Sequence, residues 1–501
     1  MAFNRRNYNS VISGALLSVN GNLSPEDLAR IESIRTAWNF YDGFHWENIT
    51  DTDRPQITHN YCRSFINKFV AFEFGKGFVV EPHAEAAEFE IDDEGRNTFD
   101  YLDDVWDDNL RETLCLEIGQ MKAITGDAWV QVRYSTPDEI DDPYEKYPNG
   151  RIRIMVIPTH VAFPFYDQHD KDKLIKLIIQ YPIDREEENF FGSSKVQKII
   201  YQQEWTKDRI IIKEGEAVVL NIENKYGIIP FIQMKNYTIA GRSEGLGDLE
   251  DLIPLNVELN TKVSDISEII EYHAAPITIV FGAKISNLEK GVNKVWGGLP
   301  KDAKVQNLAL ESDLTAAVNY IDELKQTMYE VGGVPEGALG GTQSISNTSG
   351  VALQFVNMPI IERTRVKRLG SKVGLEQVNA LILLISLKEG LVSRPEKMKP
   401  AVFYHNEVSL PDTLPKDNII ELQQIGEEMN LGLEDRMGAM KRLNKENIET
   451  KIKAIDKDRK EHEEIYMSSK EKQLNSGLKN GESSIEATRK EIKGSNKAGK
   501  V

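Results

Sequence analysis

The sequence predicts an α+β chain of 501 residues organised around a pair of long helices. Three observations carry that expectation. Apolar residues recur at intervals of three and four through Leu246 to Tyr272 and again from about Ser312 to Gly332, which is helical periodicity. Runs between Trp129 and Met234 alternate with a period of two, the pattern of antiparallel strands. The 25 residues from Gly337 to Ile361 hold no Asp, Glu, Lys or Arg, where the chain's 28% charge would place about seven.

Residues 1–20 read as a flexible arm. Ser24-Pro25-Glu26-Asp27 starts a helix, with Ser as cap, Pro in the first turn and acids at the positive helix end. Its apolar stripe is Leu28, Ile31, Ile34, Trp38 and Tyr41. A second helix covers Tyr61 to Phe72, and residues 84–95 form an acidic loop. Helices follow from about Thr98 to Thr125, and Gly126 stops them. Strand-like runs then occupy 129–134, 151–156, Leu174–Tyr181, Val196–Trp205, Arg209–Lys213, Ala217–Asn221 and Ile228–Met234.

The first long helix carries Leu249, Leu252, Ile253, Val263, Ile266 and Ile270 on one side. A β-type run, Pro276 to Phe281, and a Gly/Lys-rich segment to Pro300 separate it from the second. The second carries Leu314, Val318, Ile321, Leu324, Met328 and Val331. One seam per helix predicts a packed pair rather than a fully buried bundle. Glycines 332, 333, 337, 340, 341 and 350 break the pattern, and a long interrupted helix runs on to Ser386. Val402–His405 reads as a short strand, 415–470 as charged helix, and 471–501 as a disordered tail.

Composition excludes several functions. Residues 1–440 hold 45 basic against 68 acidic residues, net −23, while 441–501 carry net +5. A body this acidic does not grip duplex DNA, although it could enclose it. Cys62 and Cys115 are too few for a disulfide framework or zinc site and fit a reducing compartment. No signal peptide opens the chain, and the longest aliphatic run, Ala380 to Ile385, is too short for a membrane span. No two of the eight histidines have the spacing of a helical zinc pair, and the acidic clusters lack EF-hand spacing. Neither a phosphate-binding Gly-x-x-x-x-Gly-Lys-Ser/Thr nor a Gly-x-Ser-x-Gly elbow occurs. No cofactor is expected. One basic cluster stands out: Arg363, Arg365, Lys367, Arg368 and Lys372, with Val366, Leu369 and Val373 on another face of the same helix. It reads either as a solvated or intersubunit salt-bridging face or as a phosphate contact.

Together these residues resemble the portal proteins of tailed bacteriophages, in the family typical of long-tailed phages of Gram-positive hosts. The resemblance spans about Trp38 to Lys451. It rests on Tyr41-Asp42-Gly43-Phe44-His45, on Asn60-Tyr61-Cys62-Arg63 through Phe74-Gly75-Lys76, and on Thr125-Gly126-Asp127-Ala128-Trp129. It continues in Tyr226-Gly227-Ile228-Ile229-Pro230-Phe231, in Gly247-Asp248-Leu249-Glu250-Asp251-Leu252-Ile253-Pro254, in Gly333-Val334-Pro335 and in Ser349-Gly350-Val351-Ala352-Leu353.

The resemblance implies a ring, twelve subunits in the virion, at one capsid vertex, through which double-stranded DNA is packaged and ejected. Implied partners are the terminase, a head-completion or adaptor protein, and the major capsid and scaffolding proteins. The chain would be no enzyme and no membrane protein, found in the virion and, during assembly, in the host cytoplasm. A wing would take 21–244 and 351–414, stem helices 245–273 and 312–332, a clip 274–311 and a crown 415–470. The kinked long helix would lie in the wing, and 333–350 would be a tunnel loop facing DNA with Gln343, Ser344, Ser346, Asn347, Thr348 and Ser349. Rival readings are another capsid or head–tail structural protein, or a metal-dependent nuclease using the acidic clusters.

Overall fold

The computed structural model describes residues 23–47, 55–81, 84–170, 172–188, 194–274, 277–281, 304–308, 314–339, 355–411, 418–443, 451–452, 455–457 and 459. The chain divides into two compact units, 1–414 and 415–501.

In the first unit, helix ends follow their capping chemistry. Helix α1 (Pro25–Asp42) starts where the Ser24 hydroxyl accepts the Asp27 N–H at 3.1 Å and stops at Gly43, whose φ is +94°. Helix α2 (Tyr61–Phe74) is capped by Asn60, which accepts from Arg63 N–H at 2.9 Å. Helices α3 (Thr98–Asp108) and α4 (Arg111–Thr125) break at Leu110, a non-glycine residue with φ of +57°. The described residues form four sheets, all of antiparallel pairs. Strands β2 (Asp127–Ser135), β3 (Arg151–Ile157) and β9 (Phe231–Lys235) make one, in the order β3-β2-β9. Strands β4 (Ala162–Tyr166), β5 (Leu174–Glu188), β6 (Ser194–Thr206), β7 (Arg209–Glu214) and β8 (Ala217–Glu223) make a five-stranded sheet in chain order.

Strand β2 serves two cores, because alternate side chains point to opposite faces. Ala128, Val130 and Val132 enter the main core with Phe65, Phe69, Trp106 and Ile118. Trp129 enters a smaller cluster with Val161, Leu177, Ile179 and Phe231. The alternation read from the sequence is therefore real, but neither face is left to water.

The helix pair consists of α5 (Leu252–Ala274) and α6 (Thr315–Gly332), which pack on each other. Helix α5 starts six residues later than the periodicity indicated, because Leu246 N–H donates to Tyr237 O and Asp248 N–H to Ala123 O instead of joining a helical ladder. Between the pair, β10 (Ile277–Phe281) and β11 (Lys304–Leu308) form a two-stranded sheet. Helix α7 (Met358–Glu389) runs as one element of 32 residues. The interruption expected in the long helix does not fall within this span, although Gly370 and Gly374 lie in it. These glycines serve close packing instead: a Cβ at Gly374 would lie 2.7 Å from Met234 Cγ, and one at Gly370 would lie 3.3 Å from Lys235 O.

The strand expected at Val402–His405 is also misplaced. Pro400, with its φ preset for a first helical turn, opens a short helix, Pro400–Phe403. Strand β12 (Glu407–Ser409) follows and pairs with β1 (Val79–Glu81). In the second unit, α8 (Asn418–Asn430) and α9 (Arg436–Arg442) are described. Ile425 and Ala439 are buried there, whereas Leu422, Leu431 and Leu433 of the predicted apolar series are exposed.

Candidate functional site: the root of the helix pair

Three segments cross where α4 ends and the lead into α5 begins. A Cβ at Gly126 would lie 2.4 Å from Gly245 O, and one at Gly245 would lie 2.2 Å from Gly126 O. Only glycines permit that approach, and Gly126 also needs its φ of +91°. Asp127 secures the crossing. Its carboxylate accepts Gly245 N–H at 3.1 Å to each oxygen and Gln233 Nε2–H at 3.0 Å. Burial pushes this carboxyl up to about 7, against the lowering effect of those same donors.

Asp248, four residues before α5 begins, is the centre of the root. It is buried, and three groups converge on it. Arg363 Nη2 lies 3.2 Å from Oδ1, Asn236 Nδ2 donates to Oδ2 at 3.1 Å, and the Lys367 ammonium pairs with Oδ2. Lys367 is wholly buried, and desolvation lowers its pKa although Asp248 and Glu73 hold it up. The second hand of Arg363 donates Nη1–H to Val331 O at 2.8 Å and Gly332 O at 3.0 Å. A cation there meets the negative end of α6 and its unpaired carbonyls. One side chain of α7 thus holds the start of one helix and the end of the other. The Phe69 ring lies under both cations, 4.9 Å from Arg363 Cζ and 4.4 Å from Lys367 Nζ. A second buried pair, Glu73 with Lys122, is shared with the Ser371 hydroxyl, which donates to Glu73 Oε1 at 2.6 Å.

A polar ladder extends the anchorage along α5. Asn256, Asn260 and Ser264, spaced by four, are buried on one face. Asn260 Oδ1 accepts His59 N–H at 2.9 Å, Asn256 Nδ2 donates to His59 O at 2.8 Å, and Ser264 Oγ accepts Ile57 N–H at 3.1 Å. Asn260 Nδ2 donates to His45 Nδ1 at 2.7 Å, and His45 Nε2–H donates to Phe40 O at 2.9 Å. Burial lowers the His45 pKa, so the ring stays a neutral spacer. The apolar periodicity gave no sign of this ladder. The signal was two asparagines inside a helix, where they are unfavourable unless something holds them.

The residues singled out from the sequence are distributed unevenly. Leu249 and Leu252 are buried in the main core, as are Ile321, Leu324 and Met328, and Ile266 is partly buried against it. The seam is not closed along its whole length: Ile270 and Val318 are 53% and 46% exposed, and Leu314 is partly exposed. Two helices alone cannot cover each other's outer sides. Of the basic cluster, Arg363 and Lys367 point inward. Arg368 Nη2 donates to Phe72 O at 2.7 Å and Pro411 O at 3.0 Å, and Lys372 pairs with Glu407 at 2.9 Å. These contacts lie within one chain, so the cluster is not a single open face. Arg365 is exposed. Gln343, Ser344, Ser346, Asn347, Thr348 and Ser349 lie outside the described residues. Cys62 and Cys115 are buried, with thiols pushed up to about 12 by desolvation. Among the described residues, no group of three or more His, Cys, Asp and Glu is placed to hold a metal ion, and no helix is long and apolar enough to cross a membrane.

The family described as "Phage portal protein, SPP1 Gp6-like" matches residues 21–464. The chain belongs to this portal protein family. As a member it is a structural component of a phage, and the virion's portal vertex is where such proteins sit. No curated protein matches the chain. Among solved structures, a chain of "Neck of empty GTA particle computed with C6 symmetry" is similar with a TM-score of 0.40 and 10% identity, over 87% of this chain and 98% of that one. A likeness that loose carries no argument, and the portal reading rests on the family match.

Proposed function

We propose that this portal protein assembles as a ring, twelve subunits in the virion, whose central channel passes double-stranded DNA during packaging and ejection. It acts as a structural part and not as an enzyme. In this reading α5 and α6 are the stem, 274–311 the clip, 333–350 the tunnel loop and 415–470 the crown. Residues 21–244 and 351–414 form the wing. The terminase and then head-completion proteins dock on it, and capsid and scaffolding proteins surround it.

The observation that carries the ring is the helix pair. It is fixed at its root, while Ile269, Ile270, Val318 and Tyr320 are left open farther along. A closed ring repeats one heterologous interface until it meets itself, and open apolar flanks on a paired helix suit that use. The acidic body supports a duct, since like charge lets DNA slide where a basic lining would hold it. Purified protein imaged in negative stain should show rings with a central hole; compact monomers or dimers at high concentration would overturn the proposal.

The uncharged stretch suits the narrowest part of such a duct. Lys or Arg would multiply around the ring and grip phosphates, and Asp or Glu would repel them. Asn347→Lys should leave rings intact and make packaging or retention of DNA defective in a salt-sensitive way. Failure of the variant to assemble would place the loop against a neighbouring subunit instead. Normal packaging would leave it no role at the DNA.

A further inference from the structure

The first half of α7 is built inside out. It buries Thr364, Lys367 and Ser371 beside a single apolar residue, Ile360, and it exposes Met358, Val366, Leu369 and Val373 by 43%, 55%, 64% and 53%. At 100° per residue, Met358, Glu362, Val366, Leu369 and Val373 fall within about 80° of arc. Phe355, 69% exposed in the turn before the helix, continues the line. Residues 355 to 373 span about 27 Å at the helical rise. Glu362 is the one charge on the stripe, and Arg365 stands at its edge. No described residue of the chain covers these side chains.

We infer that this stripe is the surface on which a second copy of the chain seats, a conclusion that rests on the ring reading above. Charge selects the occupant. Residues 1–440 carry net −23, so two copies repel each other over most of their surfaces. Of the five cations between Glu362 and Lys372, Arg363, Lys367, Arg368 and Lys372 are engaged within the chain, and the exposed Arg365 is left at the edge of the stripe. The acidic surface of a second copy is the complement of that cation. Size agrees. Five apolar side chains fall short of the roughly 800 Å² per partner of a stable pairwise interface, so alone they would not make a dimer. In a ring every subunit uses the stripe once and the opposing surface once, alongside the stem contacts.

The test uses the full chain. Val366→Asp/Leu369→Asp should sediment as a monomer where the unaltered chain forms large assemblies, with helix content and urea midpoint unchanged. In a Leu369→Cys chain the introduced thiol should react with maleimide at least about tenfold more slowly in the assembled fraction than in the monomeric one. The native Cys62 and Cys115 are buried and supply the slow background. An Arg365→Glu chain should assemble less well at low salt and recover partly at high salt. Normal assemblies from the double-Asp variant, or equal labelling of both fractions, overturn the surface while leaving the ring reading standing. Protection already complete in the monomer overturns it too, in favour of a segment of the same chain as the cover. An unaltered chain that never assembles removes the ring reading itself, and this inference with it.

Discussion

The two halves of α7 follow opposite rules. From Leu375 to Ser386 the helix buries Leu375, Val378, Ile382 and Ile385, and its buried polar groups have neutral partners. Asn379 accepts Trp106 Nε1–H at 2.7 Å, and Ser386 accepts the Tyr101 hydroxyl at 2.8 Å. From Met358 to Val373 the helix buries Lys367 with Thr364, Ser371 and one apolar residue, Ile360, while Met358, Val366, Leu369 and Val373 stay out. The second half is held by the hydrophobic effect and its cost of failure is set by cavities. The first half is held by ion pairs that are worth little against a well-packed apolar alternative but are costly to break singly. Such a half specifies where its neighbours lie more than it adds to stability.

The largest effect should come from breaking that inward charge set. Asp248→Leu leaves Lys367 and Arg363 without their carboxylate, and the chain should lose about 3–5 kcal/mol in urea unfolding. A change under about 1 kcal/mol would mean that the root is hydrated and the contrast between the halves is shallow. Next, Ile382→Ala should cost about 2–5 kcal/mol, as a cavity in the second half must. By contrast Leu369→Ala should shift the monomer's stability by no more than about 0.5 kcal/mol. Equal losses at the two sites would erase the comparison.

How far the sequence revealed these features depends on distance along the chain. Periodicity located α5, α6 and most strands, because each is encoded by its own spacing. It also placed Val366, Leu369 and Val373 on one face. It did not show which face of α7 turns inward, since an apolar face normally does. A fully buried Lys is among the rarest core residues, and the partner that makes Lys367 tolerable stands 119 positions away. The part played by Gly370 and Gly374 was not legible, because a glycine's need for close approach is visible only once β9 lies beside it. The basic cluster was legible as a cluster, but its division into inward and outward residues was set by Asp248, Glu407 and the carbonyls of Phe72 and Pro411.

A smaller effect sharpens the picture of the root. The Asp127 carboxyl is raised from 3.8 to about 7, so between those values the folded chain holds a proton that the unfolded chain has released. Its contribution to stability is full below pH 3.8 and declines as pH rises through about 7. Asp127→Asn keeps an acceptor for Gly245 N–H and should flatten that decline, seen as a smaller fall in urea midpoint between pH 5 and pH 8 than in the parent chain. An unchanged pH profile would show that Asp127 is not the group responsible.

The ladder of Asn256, Asn260 and Ser264 works like teeth on a rack. Each grips a backbone group of the extended segment at Ile57 and His59, so α5 is meshed with that segment as well as packed on it. Sliding or turning the helix by one residue would rotate the teeth by about 100° and strand their partners in a buried place. Helix α5 can therefore not ratchet past α2 in single-residue steps. Any motion of the helix pair must carry the segment and the start of α2 with it, or occur beyond Ser264, where the teeth end.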